Sequence, residues 1–163
     1  FRDLLDTLNA VAKKFGKKII VSTHPRTRKQ LQALDTRHLS ERIEFLKPLG
    51  FFDYVKLQMH AKCVISDSGT LTEESSILGF PGVMIRQAHE RPEGMDEATV
   101  IMCGLKSRAV IEAIQVSVAH YAGGARPFKL ISDYDVDNVS RKVLRIILSY
   151  TDYINRTVWR KSS

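Results

Sequence analysis

The stretch Cys63-Val-Ile-Ser-Asp-Ser-Gly-Thr-Leu-Thr-Glu-Glu-Ser-Ser-Ile-Leu-Gly-Phe-Pro-Gly82 organises this chain. Its apolar start, Cys63–Ile65, predicts a buried strand, and Leu71–Leu78 predicts a short helix after a polar turn. The turn, Ser66–Thr70, lies where the helix begins, and free backbone N–H groups and the positive end of the helix dipole face outward there. Gly69 lets an anion approach the backbone without a Cβ in the way. The stretch therefore predicts a strand–turn–helix unit with a phosphate site at its turn.

Glu74 lies one helical turn beyond the predicted phosphate site. A carboxylate beside a phosphate would repel it, unless the carboxylate accepts hydrogen bonds from a neighbouring group such as a sugar diol. A phosphate site next to a diol acceptor indicates a nucleotide. The same residues are also explained by an ordinary strand-to-helix turn with a serine cap, and by glutamates that complement the helix dipole.

On both sides of this stretch, short apolar runs alternate with helical patterns along the chain. This alternation predicts an α/β protein with a Rossmann-like, doubly wound parallel sheet, in a single domain that spans residues 1–163. Ser107 is predicted to cap the helix that follows it. The predicted strands are 19–21, 43–46, 63–65, 83–86 and 99–103, and the predicted helices are 1–15, 27–34, 51–59, 71–78, 108–121 and 139–158.

Composition excludes several classes of function. The 163 residues are 44% hydrophobic and 26% charged, as in an ordinary globular protein, and the net charge of +7 is dispersed, which argues against nucleic-acid binding. No apolar run is long enough to cross a membrane. The two cysteines lie in apolar runs without metal-ligand spacing, so we expect reduced thiols, no metal, no cofactor and a cytoplasmic location. The chain begins with Phe1, within a helical pattern, and we expect a fragment of a longer protein.

Ligands bind beyond the carboxyl ends of the strands in such sheets, and three further candidates fall there. Arg91 follows the strand 83–86 in a proline-containing loop, where its guanidinium could bind a diphosphate in bidentate fashion or pair with a neighbouring glutamate. His24 follows the first strand, either as a hydrogen-bonded edge residue or as a ligand or base. Tyr54 either packs in the core or stacks on a nucleobase. Phosphate-binding Gly-x-x-x-x-Gly-Lys-Ser/Thr and Gly-x-Gly-x-x-Gly motifs are absent from the sequence, which argues against a P-loop NTPase and a nicotinamide dehydrogenase.

Three motifs resemble, in order and spacing, the C-terminal half of the non-hydrolysing UDP-N-acetylglucosamine 2-epimerases. They are Ser66–Glu74, Leu78–Pro81 and His89–Glu93. The resemblance implies the UDP-binding C-terminal domain of a GT-B-like, two-domain enzyme. It implies that Arg91 contacts the nucleotide-sugar and that His24 matches a histidine that binds a regulatory UDP-sugar in some members. The remaining implied contacts are Ser68, Gly69 and Thr70 to the diphosphate, Glu74 to the ribose, and Leu49 and Tyr54 to the uracil.

The resemblance also implies a reaction, in which a base removes the C2 proton of the sugar, UDP leaves, and UDP then returns with the proton on the other face. The acid and base carboxylates of the family lie in the N-terminal domain, so we expect no catalytic residue and no turnover in this chain alone. Thr70 replaces the usual second glycine of the first motif, and Leu71-Thr72 and His89 also differ from the commonest pattern. These departures resemble the capsule and O-antigen branch that makes UDP-N-acetyl-L-fucosamine. The missing domain and a second copy in a homodimer are the implied partners.

Two alternatives belong to other classes of function. A GT-B glycosyltransferase would have a similar nucleotide domain but would transfer the sugar to an acceptor. A non-catalytic nucleotide-binding module would use the basic tail, Arg156–Lys161, as its contact surface.

Overall fold

A computed structural model describes residues 1–32, 36, 38–88, 90–124 and 126–161. Short parallel strands alternate with helices along these residues, and the chain divides into two compact units, Phe1–Ile131 and Ser132–Ser163. The strands are β1 (Ile19–Ser22), β2 (Ile43–Leu46), β3 (Val64–Ser66), β4 (Gly82–Met84) and β5 (Val100–Met102). The helices are α1 (Arg2–Phe15), α2 (Pro25–Gln32), α3 (Phe51–His60), α4 (Thr70–Leu78), α5 (Glu93–Asp96), α6 (Ser107–His120) and α7 (Val139–Thr157), with a 3-10 turn at Ser132–Tyr134.

The paired strands form two parallel sheets, one of β1 and β2 and one in the order β3–β4–β5. Val83 in the central strand β4 faces Val11 of α1 and Val110 of α6, and neither Val83 nor Val110 is exposed at all. The next residue, Met84, faces the other side of the sheet, where it packs against Leu71 of α4. Helices therefore cover both faces of this sheet, which confirms the predicted α/β, Rossmann-like architecture.

The β1–β2 sheet packs against a separate apolar cluster. Leu5 and Leu8 of α1 and Leu31 of α2 are buried in it and contact Val21 and Phe45 of the strands. Because α1 also contributes Val11 to the core beside β4, a single amphipathic helix serves both sheets of the first unit.

Two predictions about this first unit are wrong. Ser107 does not cap α6, because it is the first helical residue; the N-cap is Lys106, and the Ser107 hydroxyl instead lies 3.0 Å from Thr7 Oγ1. The short helix α5 lies in a segment that the sequence predicted as loop up to residue 94. The other boundaries agree within two residues, except that the predicted end of the second helix at residue 34 lies outside the described residues.

The second unit consists of the 3-10 turn and α7. The apolar residues of α7 recur at helical spacing and share one face, and none of its described side chains is buried. The shared apolar face is formed by Val139, Val143, Ile146, Ile147, Tyr150, Tyr153 and Ile154. Among the described residues, no helix combines the length and the apolar character needed to cross a membrane.

Candidate functional site

The turn Ser68–Thr70 connects β3 to α4 and lies at the carboxyl edge of the three-stranded sheet. The Ser68 and Thr70 hydroxyl oxygens are 2.9 Å apart. The N–H groups of Leu71 and Thr72 donate to carbonyls of the turn at 3.2 Å. Within the described part of the chain, the N–H groups of Gly69 and Thr70 donate no hydrogen bond, so they remain available to an anion at the start of α4.

The loop after β4 covers this turn because β3 and β4 are neighbouring parallel strands. A Cβ atom placed on Gly69 would lie 3.1 Å from Glu90 Oε2 and 3.9 Å from Arg91 Cζ. The φ of Gly69 is −59°, which any residue adopts, so close approach rather than backbone conformation favours glycine here. The structure therefore brings the predicted Arg91 and the predicted turn together.

Two ion pairs orient the charged side chains of this loop. Arg91 Nε donates to Glu73 Oε1 at 2.5 Å, and Arg86 Nη1 lies 2.7 Å from Glu90 Oε2. The hydrogen bond from Arg86 lowers the pKa of the Glu90 carboxyl, so Glu90 is an anion at neutral pH. An anion bound over Gly69 would meet the Glu90 carboxylate at that position, and would find the Arg91 guanidinium beside it.

Glu74 lies in a second polar cluster, one residue along α4 from Glu73. The Gln58 amide of α3 donates through Nε2 to Glu74 Oε2. Tyr54 precedes Gln58 by one helical turn, and its phenol interacts with the Gln58 amide. Burial raises the pKa of Tyr54, the Glu74 carboxylate raises it further, and interaction with the Gln58 amide lowers it. The structure thus brings Tyr54 and Glu74 together, although they are 20 positions apart in the sequence.

The other predicted residues lie at the edge of the two-stranded sheet. Leu49 follows β2 and precedes Gly50, whose carbonyl accepts the hydrogen bond of the Tyr54 N–H at 2.9 Å. Leu49 is therefore next to the helix that carries Tyr54. His24 is exposed at the carboxyl end of β1, directly before α2. His89, in the third sequence motif, lies outside the described residues.

The sequence did not identify two side chains that contact predicted site residues, Glu73 beside Arg91 and Gln58 beside Glu74. The sequence relates Glu73 only to the helix dipole, whereas the structure pairs it with Arg91. For Arg91 the sequence leaves open a diphosphate or a neighbouring glutamate, Glu90 or Glu93. Gln58 was overlooked. Its spacing of four from Tyr54 on one helix was the available signal, because residues four apart share a helix face.

The remaining chemistry-bearing groups do not form a further centre. No group of three or more metal-ligating side chains is found among the described residues. Cys63 and Cys103 are free thiols, as predicted, and burial raises the pKa of both, that of Cys63 to about 12.

Known proteins are similar to this chain in sequence. A family model described as UDP-N-acetylglucosamine 2-epimerase matches residues 1–148. A UDP-N-acetylglucosamine 2-epimerase from Methanococcus maripaludis is 34% identical over 118 residues, which are 69% of this chain and 31% of that protein.

Solved structures extend the likeness to the fold. The structure of UDP-N-acetylglucosamine 2-epimerase from Rickettsia bellii is 50% identical with a TM-score of 0.86, and the match covers 98% of this chain and 44% of that one. The Methanocaldococcus jannaschii UDP-GlcNAc 2-epimerase, solved in complex with UDP-GlcNAc and UDP, is 24% identical with a TM-score of 0.78 over 91% of this chain and 40% of its own. This chain therefore spans less than half the length of these relatives.

Proposed function

We propose, since the chain belongs to the UDP-N-acetylglucosamine 2-epimerase family, that it is the UDP-binding part of a UDP-N-acetylhexosamine 2-epimerase. The observation that carries this proposal is the convergence of Gly69, Arg91 and Glu74 at one sheet edge. The turn with Gly69 leads directly into α4, and Glu74 lies one helical turn further along the same helix.

The diphosphate binds at the turn Ser68–Thr70. The hydroxyls of Ser68 and Thr70 and the start of α4 supply hydrogen-bond donors and a positive dipole. Arg91 supplies a charge, and its planar guanidinium suits two phosphate oxygens at once. The Glu90 carboxylate lies over Gly69 and the Glu73 carboxylate pairs with Arg91, so a bound diphosphate replaces the first at the turn and the second at the guanidinium.

The nucleoside lies along α4 toward α3. Glu74 accepts hydrogen bonds from the ribose hydroxyls, and the Tyr54 ring lies beside it where the base would extend. Backbone groups at Leu49 complete the base site, since this residue immediately precedes the helix that carries Tyr54.

The bound groups serve an elimination. The C2 proton of a hexosamine is weakly acidic, so departure of a well-stabilised UDP has to drive the loss of that proton. Donors already oriented on the diphosphate stabilise the charge that develops as the sugar–oxygen bond breaks. The acid and base groups belong to the rest of the full-length protein, so we expect this chain to bind UDP weakly and to show no epimerisation by itself.

Calorimetric titration with UDP and with uridine tests the proposal. We expect saturable UDP binding that Glu74→Ala weakens by about 1–3 kcal/mol, since a hydrogen bond to a charged acceptor is lost. Arg91→Ala should weaken binding of UDP but leave that of uridine unchanged. The exposed pair Arg108 and Glu112 on α6, joined at 2.8 Å, supplies the matched controls Arg108→Ala and Glu112→Ala.

Three outcomes would overturn the proposal. They are the absence of saturable UDP binding at millimolar concentrations, equal losses in the site variants and their α6 controls, and turnover of a UDP-sugar by the chain alone. For the full-length protein, an epimeric UDP-sugar is the expected product. Sugar consumed only in the presence of an acceptor would indicate a glycosyltransferase instead.

The finer assignments extend the same proposal. The full-length enzyme acts as a cytoplasmic homodimer in capsule or O-antigen sugar synthesis. The departures from the commonest motif at Thr70, Leu71-Thr72 and His89 support that branch. His24, exposed at the carboxyl end of β1, would contact a regulatory UDP-sugar. A His24→Ala variant of the full-length enzyme should retain UDP binding and lose activation by the UDP-sugar.

A further inference from the structure

We infer that Gln58 is a positioning residue that orients Glu74 toward the ribose hydroxyls, and that it sets the preference of the site for a ribonucleotide. The inference rests on the proposed UDP site. It concerns a residue that acts through Glu74 and does not require Gln58 to touch the ligand.

The burial pattern of α3 is the first observation. Gln58 is only 3% exposed, whereas Phe51 and Phe52 on the same helix are 74% and 83% exposed. A helix ordinarily buries phenylalanines and exposes glutamine, because burying an amide is unfavourable unless it is hydrogen-bonded. The inversion indicates that the amide at position 58 is retained for a specific contact.

The contact itself is the second observation. Gln58 Nε2 donates to Glu74 Oε2, while Gln58 Oε1 is buried without a hydrogen-bond partner among the described residues. An unpartnered carbonyl oxygen is unfavourable, so an apolar residue of the same shape would serve packing better. Methionine fills the volume of glutamine without that cost. The amide therefore contributes something that packing does not explain.

The consequence for Glu74 follows from its chemistry. A carboxylate on a two-carbon stem rotates freely unless one of its oxygens is held. With Oε2 bonded to a buried amide, the rotation is restricted and the other oxygen has a defined direction. Because the amide is neutral, it leaves the negative charge of Glu74 available to hydroxyl donors, unlike the guanidinium that pairs with the adjacent Glu73.

The neighbouring Tyr54 is coupled to the same pair. Its phenol interacts with the Gln58 amide and feels the Glu74 charge. The Gln58 amide thereby couples Tyr54, proposed to contact the base, to Glu74, proposed to contact the ribose. Replacing Gln58 should consequently alter discrimination between sugars more than it alters the overall stability of the fold.

The test compares UDP with 2′-deoxy-UDP and 3′-deoxy-UDP, by calorimetry, in the wild-type chain, Gln58→Met, Glu74→Gln and the double variant. Gln58→Met should weaken UDP by about three- to tenfold, as expected for one hydrogen bond, and weaken at least one deoxy ligand by less than about twofold. The double variant should prefer UDP over the deoxy ligands to the same extent as Glu74→Gln, because Gln58 acts through Glu74. Gln115→Met, at an exposed glutamine on α6, is the matched control.

The results separate this inference from the proposed function. If Glu74→Gln reduces the preference for UDP over the deoxy ligands but Gln58→Met does not, the inference is overturned and the UDP site stands. Equal weakening of all three ligands by Gln58→Met would also overturn it, because that is the signature of a structural role. If the wild-type chain does not bind UDP, or Glu74→Gln has no effect, the proposed site fails and the inference with it.

Discussion

Replacing Gly94 by alanine tests how the loop that carries Arg91 is anchored to α4. Gly94 lies in α5, and a Cβ atom at this position would be 2.0 Å from Thr72 Cγ2 and 3.7 Å from Ile131 Cδ1. Thr72 is 0% exposed, so its methyl group has no open space into which to move. Overpacking of a buried contact costs about 1–3 kcal/mol, and the close approach to the fully buried Thr72 methyl places Gly94→Ala near 3 kcal/mol.

Urea and thermal unfolding measure this loss. For a chain of this size we expect the midpoint temperature to fall by roughly 6–12 °C. Gly123→Ala is the control, because a Cβ there meets nothing within 4 Å. Thr72→Ser removes the Cγ2 methyl and should recover most of the stability of the Gly94→Ala variant. A destabilisation below about 1 kcal/mol, or a double variant that is merely additive, would refute the steric reasoning.

Three further predictions concern buried polar groups. Ser75→Ala should lower the free energy of unfolding by about 1–3 kcal/mol in urea titrations, because the Ser75 hydroxyl donates to the Phe80 carbonyl at 2.7 Å and both are buried. Thr72→Val should leave that free energy unchanged or raise it by up to about 1 kcal/mol, because Thr72 Oγ1 is buried without a partner among the described residues; a clear loss would reveal an unrecognised acceptor or donor. Iodoacetamide should alkylate Cys63 more slowly than Cys103 or a free thiol at mildly alkaline pH, because its raised pKa of about 12 suppresses the thiolate, and unfolding should abolish the difference.

The fold was predictable from the sequence because its signals are local. The apolar run at Ile43–Leu46 coincides with β2, and the turn with Gly69 connects a strand to a helix as expected. Strand-forming runs and glycine-containing turns depend on residues within a few positions of one another. The sequence could also name Arg91, because the loop that follows a strand reaches the same sheet edge as the turn.

The partners of these residues were not predictable in the same way. Ser107 had the composition of a cap, but its hydroxyl meets Thr7, a hundred positions earlier in the chain. Glu73 and Gln58 each contact a residue on another element, across 18 and 16 positions. Such pairings depend on how helices are set against one another, and local sequence patterns show at most which residues share a helix face.

The carboxylate of Glu90 over Gly69 has a consequence for the choice of anion. It is a competitor tethered to the chain, and a group on a short tether acts at a local concentration of about millimolar or higher. A monovalent anion such as chloride displaces one charge with one charge and gains little by mass action. A diphosphate would displace the same carboxylate, carry more charge, and also engage Arg91 and the N–H groups at the start of α4. The Glu90 carboxylate thereby disfavours small monovalent anions at the turn and favours a ligand that makes a greater number of contacts.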